Sequence, residues 1–303
     1  MDRIEAMQAL LEVVRSGSFS AAARNLGIPT TSLTRRISDL EDRLRAKLLN
    51  RSTRSLTLTD VGAAYTAAAR RIVEDVEEAE RAATGEYLEP RGELVITAPA
   101  MFGRLHVVPI VAEFLAEFPK IDIRLLLADA VVNLVEERVD LAIRLGDLPE
   151  SSLIARHVGE MRIVLSGSPG FFAAHGTPRS PQEVAMLPTI AVGGAGQRAV
   201  FRFASGTALQ TVAIQPRLAV TTNDAAVEAA VCGVGLTQQR LYQVAGQLVS
   251  GALRLCLVEH ELRPAPVHIL HISRDHLPLK ARKFLDFAAP RLRERLKAIA
   301  ATD

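Results

Sequence analysis

The sequence predicts an α/β protein with an all-α-rich N-terminal domain, and three observations predict it. Apolar residues recur at helical spacing through residues 4–83. Beyond them, short β-branched runs alternate with amphipathic segments, the pattern of sheets covered by helices. Pro90-Arg91-Gly92 separates the two textures.

Each element follows from local chemistry. Ile4, Met7, Leu10, Leu11 and Val14 fall on one face of a first helix. Ser18 is the expected N-cap of a second helix that ends at Gly27, with Ala23 small where two helices cross. In a third helix Leu33, Ile37, Leu40 and Leu44 point inward, and Thr31, Arg35, Ser38 and Asp42 lie opposite. Pro29 stands just before this helix, with Thr30 or Thr31 as its cap. Residues 48–51 and 55–58, separated by Ser52-Thr53-Arg54, read as a short hairpin, a wing beside a helix-turn-helix. Thr59-Asp60 caps a long helix with the stripe Val61, Tyr65, Ala68, Ile72, Val76, Ala79 and Ala83. A lone helix cannot hide that stripe, so a second copy of the chain is its expected cover.

After the break the expected order is strand 94–98, helix 105–118, strand 121–127, helix 131–137 and strand 141–145. A second block, about 164–263, carries a helix over 223–232 and a strand over 235–237. A strand over 267–272 returns to the first sheet, and a helix over 279–296 follows. Strand–helix alternation predicts parallel sheets, and the double crossover predicts two lobes around a hinged cleft. The expected domains are 1–59, a linker helix 60–89, and 90–303, with lobe I about 90–163 and 266–303 and lobe II about 164–265.

Composition restricts the function classes. At 303 residues and 49% hydrophobic, the chain is long enough for two domains, and its net charge of +2 carries no signal by itself. The distribution does. From Arg24 to Arg54 there are eight basic and three acidic residues, and from Val61 to Pro90 three basic and seven acidic. A positive field confined to the helix-turn-helix is what phosphate binding requires. The absence of a basic-then-apolar leader and of a long apolar stretch predicts a cytoplasmic protein with no membrane partner. Cys232 and Cys256 are too few for a disulfide framework.

Ala22-Ala23, Leu26-Gly27, Leu33, Ile37, Leu40-Glu41, Leu44, Leu48-Leu49, Arg51, Leu58-Thr59 and Gly62 resemble the winged helix-turn-helix of LysR-type transcriptional regulators. The resemblance continues through Gly92-Glu93-Leu94-Val95-Ile96-Thr97-Ala98-Pro99, Phe102-Gly103-Arg104, Val108-Pro109, Phe118-Pro119, Val139-Asp140-Leu141-Ala142-Ile143-Arg144, Asn223-Asp224 and Gly233-Val234-Gly235-Leu236. It is nearest the branch with Phe-Gly-Arg after the first strand and Ile-Arg-Leu-Gly after the third. Two positions depart from the family pattern. Pro29 stands where a serine is usual, and Gln238-Gln239-Arg240 replaces two apolar residues and a proline. The resemblance implies a winged helix-turn-helix, a linker helix and a two-lobed, periplasmic-binding-protein-like effector domain. It also implies double-stranded DNA with approximate two-fold symmetry as a partner, a small effector (often a carboxylate) between the lobes, and a homotetramer built from dimers on the nucleoid.

Candidate residues follow. The N-terminal turns of the third helix present Thr30, Thr31, Ser32, Thr34, Arg35 and Arg36 to the major groove, with Arg35 suited to a guanine edge. Arg51 and Arg54 in the wing suit phosphates or the minor groove. For Arg36 a solvated helix face is an equal alternative. Candidate effector walls are Ala100, Met101, Phe102, Asp129, Arg144, Phe203, Thr222 and Asn223. Backbone N–H groups at the helix starting near Ala100 favour an anion. Arg144 suits an acid, or else a structural ion pair with Asp129, and the two phenylalanines fit core packing as well as a pocket floor. His268 and His271 lie three apart on a strand and face opposite sides, so neither a metal nor a cofactor is expected. The two cysteines read as buried small apolar residues, with a redox sensor as the alternative. A plain solute-binding protein and a transferase built on the same lobes are the competing classes. The basic N-terminal block argues against the first, and the lack of any nucleophile–base pair against the second.

Overall fold

The computed structural model describes residues 2–51, 56–84, 89–129, 139–148, 153–193, 199–206, 208–271 and 277–301. Two compact units divide the chain, Met1–Glu89 and Pro90–Asp303.

In the first unit α1 (Arg3–Ser16), α2 (Phe19–Leu26) and α3 (Thr30–Leu44) precede a hairpin of β1 (Leu49–Arg51) and β2 (Leu56–Leu58), and α4 (Asp60–Thr84) follows. The Ser18 hydroxyl accepts from Ala21 N–H at 3.2 Å. Gly27 then ends α2 at φ 65°, a left-handed conformation open to glycine without a Cβ clash. Glu12 of α1 accepts from Arg15, Ser16 and Asn25, so it joins α1 to α2, and these donors hold its pKa at about 2. Leu10, Val13, Ala22, Ala23, Leu33, Ile37 and Leu40 form the core between the three helices.

Three details correct the sequence reading. Pro29 is the N-cap of α3 and makes no side-chain cap bond, so neither Thr30 nor Thr31 caps it. Thr30 is the first helical residue, and its carbonyl accepts from the Thr34 hydroxyl at 2.8 Å. Leu44 is 37% exposed and Glu41 takes the buried place at 2%. On α4 the face buried within the unit is Gly62, Thr66, Ala69 and Val73, one position on from the anticipated stripe. Val61 and Ile72 of that stripe are 56% and 41% exposed. The side chain of Ala83 lies outside the described residues. The wing sets this rotation. Thr59 N–H donates to the Leu48 carbonyl, and the Thr59 hydroxyl donates to the Lys47 carbonyl and accepts from Gly62 N–H at 2.9 Å. A Cβ on Gly62 would overlap the Leu48 carbonyl oxygen.

The second unit opens with β3 (Gly92–Ala98), α5 (Ala100–Phe102), a π-helical turn (Gly103–Val107) and α6 (Val108–Glu117). Next come β4 (Ile121–Leu127), β5 (Leu141–Leu145), β6 (Ile154–Met161), β7 (Ile163–Gly167), α7 (Pro169–His175) and α8 (Pro181–Val184). The chain continues through β8 (Thr189–Val192), β9 (Val200–Ser205), β10 (Ala208–Ala213), β11 (Leu218–Val220), α9 (Asn223–Val231) and β12 (Leu236–Arg240). It ends with α10 (Leu241–Val249), β13 (Arg254–Cys256), β14 (Ala265–His271) and α11 (Leu279–Ala300). The helix expected from 105 thus begins at Ala100. Pro109, whose ring crowds the carbonyl four residues back, sits just past the widened turn. The helix expected over 131–137 lies outside the described residues.

Two five-stranded sheets result, ordered β4-β3-β5-β14-β6 and β11-β8-β12-β7-β13. They are mixed rather than parallel throughout. β3 runs parallel to β4 and β5, but β14 is antiparallel to β5 and β6. β8 is parallel to β11 and β12, but β7 is antiparallel to β12 and β13. The cause is the double crossing. β6 and β7 are separated by Arg162 alone and lie in different sheets, and the chain returns before β14. Arg162 and Glu261, one on each crossing segment, form a two-pronged ion pair at 2.8 and 3.0 Å. Both faces of β3 are covered: Leu94 and Ile96 pack with Phe114 and Phe284, and Val95 packs with Ala142 and Leu270.

Because α4 approaches the wing at Gly62, Gly62→Ala is expected to destabilise the chain by about 1–3 kcal/mol. Denaturant unfolding of the full-length protein measures this, and an unchanged midpoint refutes the close-approach account.

Candidate functional sites

On the first unit the polar edge of α3 is solvent-facing. Thr30, Thr31 and Arg35 are exposed, and Ser32 and Thr34 are half-buried. Among the described residues no carboxylate pairs with Arg35. Arg36 differs, because its guanidinium lies 3.3 Å from Glu5 of α1. Arg51 closes β1 opposite Leu56, with its side chain outside the described residues, as is the whole of Arg54.

Glu41 aims this helix, and the candidate set drawn from sequence left it out. Its carboxylate accepts from the N–H groups of Leu48 and Leu49 at 2.9 and 3.2 Å, and from the Lys47 ammonium at 3.0 Å. Burial raises its pKa, but the Lys47 ammonium and the two amides outweigh burial and hold it below the usual carboxylate range. The wing is thereby fastened to α3 at its first residues. Glu41 reads in sequence as one more acid on a polar helix, and only the burial reveals its role.

In the second unit a cavity of about 410 Å³ opens between the two sheets. The first sheet supplies Pro99 after β3, Asp129 after β4, and Arg144 and Leu145 at the end of β5. The second supplies Ile163, Asn223, Gln238, Gln239, Arg240, Tyr242 and Gln243. Most of these stand at the carboxyl ends of parallel strands or in the segments after them, where open α/β sheets bind ligands, and Ile163 opens the antiparallel β7.

Two guanidiniums dominate this cleft. Arg144 is half-buried, its Nη2 has no partner among the described residues, and burial pulls its pKa down. Arg240 donates from Nη2 to the Leu145 carbonyl at 3.1 Å, and its Nη1 is buried without a partner among the described residues. Burial lowers the Arg240 pKa, against the opposing pull of Tyr242 and Asp129. A guanidinium stays charged in proteins, so both sites hold partly desolvated cations. Burial pushes the Tyr242 hydroxyl up to about 12, which keeps it neutral and able to donate. Gln243 accepts from Arg240 N–H at 2.8 Å, and Gln239 donates to Thr237 at 2.9 Å, so both buried amides are engaged.

The structure redistributes the candidates named from sequence. Asp129, Arg144 and Asn223 line the cleft. Asp129 does not pair with Arg144. Its Oδ1 accepts from Ala100 N–H at 3.0 Å, so the anion at the start of α5 is the chain's own carboxylate. Ala100 and Met101 are half-buried beside the cleft, and Met101 packs on the core. Phe102 is fully buried, edge-on to Tyr242 at 5.2 Å, and Phe203 lies in the core of the second lobe. Thr222 is the exposed N-cap residue of α9. Sequence reasoning missed Arg240 and Tyr242. The signal for Arg240 was present as a departure from the family pattern, an arginine on a strand that runs three residues beyond its expected end.

Other titratable groups lie apart from the cleft wall. His106 packs on Phe102 and Tyr242 at 5.0 and 5.6 Å, and burial, helped by Arg295, pulls its pKa to about 4. Among the described residues no three His, Cys, Asp or Glu side chains are grouped to hold a metal ion. Cys256 is buried with its thiol pushed up to about 12, whereas Cys232 is exposed rather than buried as expected. Among the described residues no helix is long and apolar enough to cross a membrane.

A small helical reader and a two-sheet unit built around a polar cleft define a class, DNA-binding proteins that carry a ligand-binding domain. The comparisons give the family. Residues 4–63 match the model of the bacterial regulatory helix-turn-helix protein, lysR family, and residues 88–293 match that of the LysR substrate binding domain. The regulator CrgA of Neisseria meningitidis is 32% identical over 95% of this chain and 96% of its own. A transcriptional repressor of Pseudomonas aeruginosa is 31% identical over 95% and 91%, and the activator AaeR of Escherichia coli 30% over 92% and 91%. The crystallised CrgA superposes with a TM-score of 0.61 at 29% identity, covering 95% of this chain and 98% of that one. Full-length AphB of Vibrio cholerae gives 0.59 at 26%, over 95% and 98%. The chain belongs to the LysR family of transcriptional regulators. It is a DNA-binding regulator with an effector-binding domain, and not an enzyme.

Glu41→Gln replaces one acceptor oxygen with an amide facing the Lys47 ammonium, and is expected to remove about 1–3 kcal/mol of stability at pH 7. The folded pKa of Glu41 lies below its unfolded value of about 4.3. Its stabilisation is therefore present above that pH and lost as pH falls through the folded pKa, so parent and variant should converge in acid. Urea titrations at pH 7 and at about pH 3 check both halves.

Proposed function

We propose that this regulator reads a roughly two-fold-symmetric stretch of duplex DNA with α3, and changes state when a small carboxylate is held between Arg144 and Arg240. One observation carries the carboxylate: each guanidinium has a buried N–H without a partner among the described residues, beside the same cleft. An unmet buried donor costs about 1–3 kcal/mol, and a carboxylate oxygen relieves it. Asp129 supplies one negative charge against two positive ones on the wall, and its Oδ1 already serves α5. Tyr242 and Asn223 add neutral groups that orient an acid without competing for it. Arg240 also donates across the cleft to Leu145. An acid that draws Arg240 toward itself alters the link between the sheets, and a ligand with different affinities for the two arrangements shifts their populations.

On DNA, Arg35 reads a guanine edge, with Thr30, Thr31, Ser32 and Thr34 at bases or adjacent phosphates. The backbone N–H groups of the first turn of α3, uncapped by Pro29, suit a phosphate. Arg51 and Arg54 hold backbone, and Arg36 contributes through its pair with Glu5. The working division is a reader over 1–59, a linker over 60–89 and an effector domain over 90–303. Exposed Val61 and Ile72 on α4 support dimerisation through that helix. A tetramer through the effector domains, and a place on the cytoplasmic nucleoid, follow from family likeness.

Two outcomes test the reading. Arg35→Ala should weaken specific operator binding by about 1–3 kcal/mol, roughly fivefold to over a hundredfold, in gel-shift titrations on operator fragments selected with the parent protein. Equal affinity of parent and variant removes Arg35 from the reading set. In thermal-shift assays small carboxylates should stabilise the full chain where their amides do not, and Arg144→Gln or Arg240→Gln should abolish the shift. A flat response across aromatic and aliphatic acids sinks the acid pocket.

A further inference from the structure

A second cavity, of about 390 Å³, adjoins the cleft within the second lobe. Ile190, Val192, Phe201, Ala219 and Leu262 line it with apolar side chains, and somewhat more of its wall is apolar than polar. Val192 is 39% exposed, a large apolar side chain left partly uncovered at this wall. Arg202 is its one charged lining residue among those described, and the Arg202 side chain is exposed. The two cavities share Ile163 and Gln238. Ile163 stands opposite Arg240 in the register of β7 and β12, and Gln238 lies two residues before Arg240 on the same strand face. Gln238 commits its amide to β9, accepting from Arg202 N–H at 3.0 Å and donating to the Arg202 carbonyl at 2.7 Å. The shared wall is therefore a satisfied amide and an isoleucine. A charged group gains nothing by passing it, and an apolar one loses nothing.

We propose that the effector is an amphipathic monocarboxylic acid: its carboxylate sits between Arg144 and Arg240, and its uncharged apolar body enters this second cavity past Gln238 and Ile163. The charged end rests on the acid reading of the cleft, and the apolar end rests on the shared wall. Each cavity alone is within the size range of small-ligand pockets, roughly 300–1,000 Å³.

Calorimetric titration of the full-length chain with straight-chain carboxylates from butyrate to octanoate tests this. Each added methylene should tighten binding about threefold to fourfold until the cavity is filled. Ala219→Trp, which fills the cavity from an exposed position, should flatten that dependence and leave butyrate binding as before. Val192→Gln is a second, independent variant at a partly exposed site. Affinity that ignores chain length in the parent, or a dependence that survives both substitutions, overturns the proposal. Arg240→Gln separates the two readings. If it leaves butyrate unaffected while Ala219→Trp still flattens the series, the acid reading fails and the apolar site stands. Failure of every acid to bind overturns both.

Discussion

The effector domain depends on how the chain passes between its two sheets. Arg162 joins β6 of one sheet to β7 of the other, and Glu261 lies on the return path to β14. Their paired hydrogen bonds fix the two crossing segments side by side. The side chains are 20% and 12% exposed, so the pair is largely out of water, where a bidentate carboxylate–guanidinium contact is both strong and directional. With the crossings held together, the strand ends of the two sheets can only open toward each other, and the cleft follows from that.

The cleft's polar groups then divide by whether they are satisfied. Asp129 serves α5, Gln238 serves β9, Gln239 serves Thr237, and Gln243 serves the backbone at Arg240. Among the described residues Arg144 and Arg240 retain unmet donors. The proposed acid site rests on those two cations. Tyr242 belongs to both layers, since its ring packs on Phe102 while it lines the cavity.

The DNA-reading unit obeys a similar rule on a smaller scale. A buried carboxylate, Glu41, receives two backbone donors and an ammonium, and so ties the wing to α3. Removing one partner from such a site leaves an uncompensated buried group, which is why it specifies geometry as well as contributing stability. Gly62 and Thr59 complete the junction by bringing α4 against the Leu48 carbonyl.

Much of this was legible in the sequence. Local periodicity and turn chemistry determined α1–α3, the Ser18 cap, the Gly27 turn, the wing and the long α4, because each depends on residues a few positions apart. The resemblance carried the family. Tertiary structure alone decided which face of α4 is buried, since the Leu48 carbonyl against Gly62 outweighs the larger apolar residues one position away. Tertiary structure likewise turned two sheets expected to be parallel into mixed ones, through crossings that no local pattern records. It also sent Phe102 and Phe203 into cores and brought Arg240 and Arg144 to one cleft. Those two arginines are 96 positions apart in the chain; what joins them is the pairing of β12 with β7 and of β5 with β14, a long-range arrangement whose free energy is summed over the whole core and is written in no single segment.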